Sequence, residues 1–313
     1  LDSPEQQYVV ALDALAVVTS PGNPVTRLSV ADLDRVVSGR VRDWKELGGK
    51  PGPIHLHVVD GGEAELVRQM LGAGTVVRAD AIHHANRVSL CAALAGDASG
   101  IGLVRVPGAI PRGVQALAIS AGGRAVAPTS VNLRAEEYPL VRRLYLVGGP
   151  LMTALGRSLA NYAVSPEGQA IVERQGFLSV MPRLLPAPVP ANAPKEYRQL
   201  VQGATRVSTN LRFAENTSLL DPRTAQDLPR LANTLAKARE IILVGFAAPD
   251  PKLPFRALVT SQERADFAAS QLQAAGLMPK RVRGFGGAMP LVGAASHGGF
   301  GGSRDERVEI WVR

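Results

Sequence analysis

Residues 182–194 read PRLLPAPVPANAP, with proline at positions 182, 186, 188, 190 and 194. Each proline fixes φ and removes a backbone donor, so neither a helix interior nor a central strand can run through the segment. The composition is that of a semi-rigid extended linker, and the chain is expected to fold as two units. At 313 residues each unit is long enough to bury its own core. The expected division is 1–182, a proline-rich linker with a short helix over 183–205, and 206–313.

Before the linker, strand-like and helix-like runs alternate: ALAVVTS, SVADLDRVVSG, IHLHVVD, EAELVRQML, GIGLVRV, LYLVGG and SPEGQAIVERQG. Alternation of this kind predicts an α/β domain. Ser29 with Asp32 has the spacing of a capping box, and Gly39 stops that helix; Ser165-Pro166-Glu167 opens another that Gly176 ends.

After the linker, Ser208 to Phe213 reads as a strand. Asp221-Pro222 reads as an N-cap with proline at the first helical position, opening a helix to about Ala238 that Pro229 disturbs. Glu240 to Ala247 is an apolar strand. The following helix carries Leu258, Ala265, Ala268 and Leu272 at helical spacing and is capped by Gly276. Arg281 to Met289 and Glu306 to Arg313 read as two more strands. The predicted order is strand, helix, strand, helix, strand, strand.

That order, with G-F-A-A-P-D, T-S-Q-E-R-A and D-E-R-V-E-I, resembles the OmpA-like peptidoglycan-binding domain over about residues 206 to 313. The family writes these motifs G-H-T-D, L-S-x-x-R-A and N-R-R-V-E. The resemblance implies that Arg264 holds the carboxylate of diaminopimelate in the stem peptide, and that Arg307 belongs to the site. The family's aspartate falls on Ala248 counted from Gly245, and on Asp250 with a one-residue slip counted back from Arg264. A carboxylate is needed because the ligand's ammonium must be paired once water is removed.

The ordered set NPV, LSVADLDRVVSGRVRDWKELGG, SGIGLV, YPLVRRLYLV and SPEGQAIVERQGFLSV resembles the periplasmic phosphate-binding proteins of ABC transporters over about residues 8 to 182. The expected fold class is therefore α/β: a partial periplasmic-binding-protein-like domain, then an α+β OmpA-like domain. The resemblance implies an oxyanion held between lobes at helix N-termini. Its members carry further residues ahead of the stretch matching ALAVVTS, so a piece of a longer protein or a half-built cleft is expected. Where the family's phosphate loop has R-x-x-x-S-G-T, this chain has His57, Gly61, Gly62 and Glu63. Glu63 puts a carboxylate where the anion should sit, while His57 gains positive charge only below about pH 6.5.

Composition narrows the function classes. Hydrophobic residues make up 46% and charged residues 20%, which excludes a disordered chain. No apolar stretch is long enough for a transmembrane helix. The net charge of +8 is uneven, with 18 basic against 16 acidic residues up to 184 and 17 against 11 from 185 on. A basic second unit suits an anionic polymer. Aromatics at 4% leave few stacking platforms, so nucleic acid is not the expected partner. Cys91, the only cysteine, reads as a small buried hydrophobe. His83-His84 point apart, and no metal, cofactor or nucleophile set is recognisable. The expectation is a non-enzymatic periplasmic protein associated with the cell wall or outer membrane. It would bind the peptidoglycan stem peptide, with a phosphate-like oxyanion as a second ligand. The alternative is an envelope scaffold, with degenerate ligand sites, that contacts other proteins.

Overall fold

The computed structural model describes residues 7–72, 74–107, 110–149, 151–213, 220–292 and 304–313. The first half runs β1 (Gln7–Thr19), β2 (Arg27–Ser29), α1 (Val30–Val37), β3 (His55–Val59), α2 (Gly62–Leu71), β4 (Ile82–His84) and α3 (Arg87–Gly96). It continues through β5 (Gly100–Arg105), β6 (Gln115–Ala116), β7 (Ala118–Ser120), α4 (Ser130–Arg134), β8 (Val141–Val147), α5 (Ala154–Ala163) and α6 (Pro166–Arg174). The main sheet has the order β4-β3-β5-β1-β6, and β8 also pairs with β1. β1 is shared end to end. Leu15 to Thr19 run antiparallel to β5, whereas Gln7 to Ala14 run antiparallel to β8, with a register shift between Val9 and Ala11.

The sequence signals for helix ends act as expected. Ser29 Oγ accepts from Asp32 N at 2.9 Å, and Ser165 Oγ accepts from Gly168 N at 3.3 Å. Gly39 follows α1 at φ +75°, a conformation that a Cβ would disfavour. Cys91 is buried in α3, and burial pushes its thiol up.

The second half contains β9 (Leu184–Leu185), α7 (Lys195–Val201), β10 (Thr205–Arg212), α8 (Pro222–Leu235), β11 (Ile241–Gly245), α9 (Pro254–Ala274), β12 (Pro279–Gly284) and β13 (Arg307–Val312). Their sheet has the order β12-β11-β13-β10-β9. From β10 on, the order is the one read from the sequence. Val308, Ile310 and Val312 face a core with Leu231, Leu235, Ala268 and Leu272 of α8 and α9. Trp311 on the opposite face packs with Tyr197, Val201 and Phe246. β13 is therefore buried on both sides.

Two expectations change. Leu258 is 45% exposed; the buried stripe of α9 is Ala257, Ser261, Ala265, Ala268 and Leu272, mostly small residues that let the helix approach the sheet. The strand expected over Arg281 to Met289 ends at Gly284, because Ser261 Oγ accepts from Gly286 N at 2.8 Å and holds the chain in a turn. The proline-rich segment is extended but docked: Leu184 and Leu185 pair with Val207 and Arg206, adding β9 to the sheet edge.

A charged seam joins the halves. Glu136 adopts φ +57°, which sends it and its neighbour Glu137 into two different arginine groups. Glu136 pairs with Arg143 from β8 and Arg223 from α8. Glu137 pairs with Arg124 from its own half and with Arg206 and Arg307 from the other. Nearby, the Gln226 amide imitates a strand partner, donating to Val9 O at 2.8 Å and accepting from Val9 N at 3.1 Å.

Candidate functional site

Arg264 lies on the middle of α9, its side chain only 12% exposed. Its guanidinium carbon sits 5.3 Å from the Phe213 ring centre, and Nη2 donates to Glu306 Oε2 at 2.9 Å. Nη1 is buried with no acceptor among the described residues. Glu306, 19% exposed, stands just before β13. The pair therefore combines a cation with a spare donor and a carboxylate beside it. That is the charge pattern an amino-acid zwitterion needs.

Asp250 does not join this pair. Its Oδ1 accepts from Lys252 N and Leu253 N, both at 3.0 Å, and so shapes the approach to α9. Ten residues of helix separate Pro254 from Arg264, a rise of roughly 15 Å. Among the described residues no hydrogen bond or ion pair joins Asp250 to Arg264. The sequence places the expected carboxylate in the loop before α9, and the structure sets a second one, Glu306, directly beside Arg264. The available signal was the D-E-R-V-E-I motif itself, where an acid stands in a position the family fills with arginine.

Arg307, expected as a ligand contact, lies inside the protein. Its guanidinium sits 4.1 Å from the Phe246 ring centre and within 3.2 Å of Glu309 Oε1, with 1% of the side chain exposed. In this structure its guanidinium is closed to solvent. Its role is to anchor β13 against the seam.

In the first half, His57 lies on β3, Gly61 in the turn after it, and Gly62 and Glu63 at the start of α2. Gly61 takes φ +82° as the N-cap and supplies no side-chain cap. An added Cβ at Gly62 would meet nothing within 4 Å. His57 is not free to meet an anion: it is 3% exposed, shares a hydrogen bond with His84 at 2.9 Å, and lies 3.2 Å from Asp97 Oδ2. His55 meets the same Asp97 oxygen at 2.9 Å, and His83 pairs with Asp60. Burial, with His57 beside it, pushes the His84 pKa down.

Glu63 is half-buried in the first turn of α2, and its carboxylate accepts from Arg105 N at 3.4 Å. Burial pushes the carboxyl up, opposed by that bond and by the charges of Arg105 and Arg87. Arg105 also pairs with the buried Asp13, as does Arg142. Helix amides and cations are thus present, with a carboxylate already among them.

A family model described as PBP superfamily domain matches residues 4–167. The chain belongs to the PBP superfamily. A second model, of the OmpA family, matches residues 212–300, so the PBP superfamily domain is followed by an OmpA family domain. The PBP half is similar to the phosphate-binding protein PstS of Borreliella burgdorferi, 24% identical over 192 residues, or 56% of this chain and 66% of that protein. The chain thus spans just under two thirds of the curated relative it matches. Among solved structures, PstS from Borrelia burgdorferi has a TM-score of 0.50 at 24% identity, covering 55% of this chain and 71% of that one. An ABC-type phosphate transport receptor from Vibrio cholerae gives 0.48 at 19% identity, with 55% and 71% covered. The PBP likeness shows the fold expected from the sequence.

Proposed function

We propose that this chain is a non-enzymatic binding protein of the periplasmic cell envelope, attached to peptidoglycan through its OmpA family domain. One observation carries the reading: Arg264 and Glu306 are paired at the edge of the core, with a guanidinium donor still unused. Arg264 takes the carboxylate of the diaminopimelate end, and Glu306 takes its ammonium. Asp250 shapes the loop beside α9. The excess of basic residues after 184 favours an anionic polymer over a neutral one. The test is retention on purified peptidoglycan sacculi of the full chain and of Arg264→Ala, Glu306→Gln and Asp250→Asn. Loss of retention in the first two with Asp250→Asn unaffected is expected. Equal retention of wild type and Arg264→Ala, or no retention of either, sinks the assignment. Loss in Asp250→Asn but not in Glu306→Gln returns the ammonium to Asp250.

For the PBP half, the names of its relatives suggest phosphate. Glu63 favours the scaffold reading instead, because its carboxylate already stands by Arg105 N and the start of α2. A phosphate entering at Gly61 and Gly62 would meet that negative charge. Calorimetry with inorganic phosphate is expected to give no heat for the wild type at about millimolar concentration, and to give heat for Glu63→Ser. Micromolar binding by the wild type would restore the carrier reading.

A further inference from the structure

The junction between the halves frames a half-open cavity of about 600 Å³ that neither ligand reading uses. Its walls come from three parts of the chain. The first half contributes Arg27 and Arg124, the proline strap contributes residues 188–192, and the second sheet with α7 contributes Arg206, Glu309, Trp311 and Tyr197. A volume of this size is in the range of small-molecule sites.

The floor is aromatic. Trp311 lies under the Arg206 guanidinium at 5.6 Å and meets the Tyr197 ring edge-on at 6.3 Å. Glu309 is committed here, accepting from Tyr197 Oη at 2.7 Å and Trp311 Nε1 at 3.0 Å on the same oxygen.

The cations are not fully used. Arg206 is 4% exposed; its Nη2 donates to Glu137 and Asn210 and lies 3.5 Å from Glu309 Oε1, while its Nε makes no hydrogen bond. Arg124 donates from Nη2 to Glu137 Oε2 at 2.7 Å; its Nε, like that of Arg206, is closed to solvent and makes no hydrogen bond, so it is the rest of each guanidinium that borders the cavity. Arg27 is exposed and has no ion-pair partner among the described residues. Three guanidiniums thus face the cavity with one carboxylate, Glu309, and even with Glu137 behind them positive charge is in excess. That excess suits an anion, and guanidinium suits carboxylate in both charge and shape.

We propose that this cavity binds a small organic carboxylate with an aromatic or branched apolar body, its carboxylate on Arg124 and Arg206 and its body on Trp311. Arg27 steers the anion at the rim. Because both halves and the strap line the site, an occupant also fastens them together.

Benzoate is a suitable probe, with benzamide as its neutral counterpart and inorganic phosphate as an anion without an apolar body. The chain has two tryptophans, and Trp44 is buried in the first core, so a Trp44→Phe chain reports on Trp311 alone. Saturable change in its emission with benzoate is expected, weakened about tenfold by Arg124→Gln and measurably by Arg27→Gln. Arg27 makes no ion pair to lose, so its variant keeps the test informative if Arg124→Gln misfolds. No saturable response up to about 10 mM benzoate overturns the site. So does an equal response to benzamide, or unchanged affinity in both variants. Phosphate binding as tight as benzoate overturns the organic carboxylate assignment.

Discussion

Glu137, just beyond α4 in the PBP half, is ion-paired with Arg206 on β10 of the other half, and both side chains are buried. Glu137 also answers Arg124 and Arg307, so one carboxylate holds three guanidiniums across the seam. Removing one partner of such a group strands the rest without compensation. Glu137→Gln is expected to destabilise the protein by about 3–5 kcal/mol. Urea titrations of both proteins check this; a midpoint change within error would mean the seam contributes little.

Acid should open the same seam. Burial pushes the carboxyls of Glu136 and Glu137 up, but the arginines outweigh it. Arg143 and Arg223 act on Glu136, and Arg206, Arg307 and Arg124 act on Glu137, holding both well below the ordinary value of 4.5. A carboxylate whose folded pKa is depressed contributes stability that is complete above its unfolded pKa and is lost as pH falls toward the folded one. Stability should therefore fall steeply below about pH 4.5. Asp227 and Asp305, raised by burial, give the opposite slope there and moderate it. Denaturation at pH 6, 4.5 and 3 tests the balance, and a flat profile would refute it.

A gentler acid effect belongs to the histidines of β3 and β4. Burial, then His57, lowers the His84 pKa from 6.5, so the folded protein resists a proton that the unfolded chain accepts. Stability from this source declines as pH falls below 6.5. Melting temperatures at pH 7.5 and 5.5 should differ less in His84→Asn than in the wild type. An equal difference would assign the effect elsewhere.

Gly245 ends β11 directly under α9, where a Cβ would press into the carbonyl of Ser261. The Ser261 backbone and the Ala265 Cβ of α9 leave no flexible group to yield. Gly245→Ala should cost about 1–3 kcal/mol or more by displacing α9 from the sheet. Loss of sacculus retention in proportion to unfolding, measured alongside circular dichroism, would identify this as a packing effect.

The fold was legible where the chain carries its own punctuation. Asp221-Pro222, Ser165-Pro166 and Gly276 mark helix ends through local hydrogen bonds and φ, which a sequence states directly. The residues of the candidate site were less legible, because their surroundings depend on distant partners. Arg307 alternates with apolar neighbours as an exposed residue would, yet β13 is the middle strand and is covered on both faces. Glu306 stands out in its motif as an acid in an arginine position, but nothing local says that Arg264, 42 positions earlier, will meet it. The prolines of the strap announce extension but cannot say whether the extended chain docks.

That docking has a consequence for how copies of the protein meet. A strand at the rim of a sheet offers unpaired amides to any neighbouring chain, an invitation to intermolecular β-pairing. β10 would be such a rim, but β9 lies along part of it, and the segment just beyond carries Pro186, Pro188 and Pro190, which have no N–H to donate. The strap thus works as a built-in terminator, leaving an adjacent molecule little to extend.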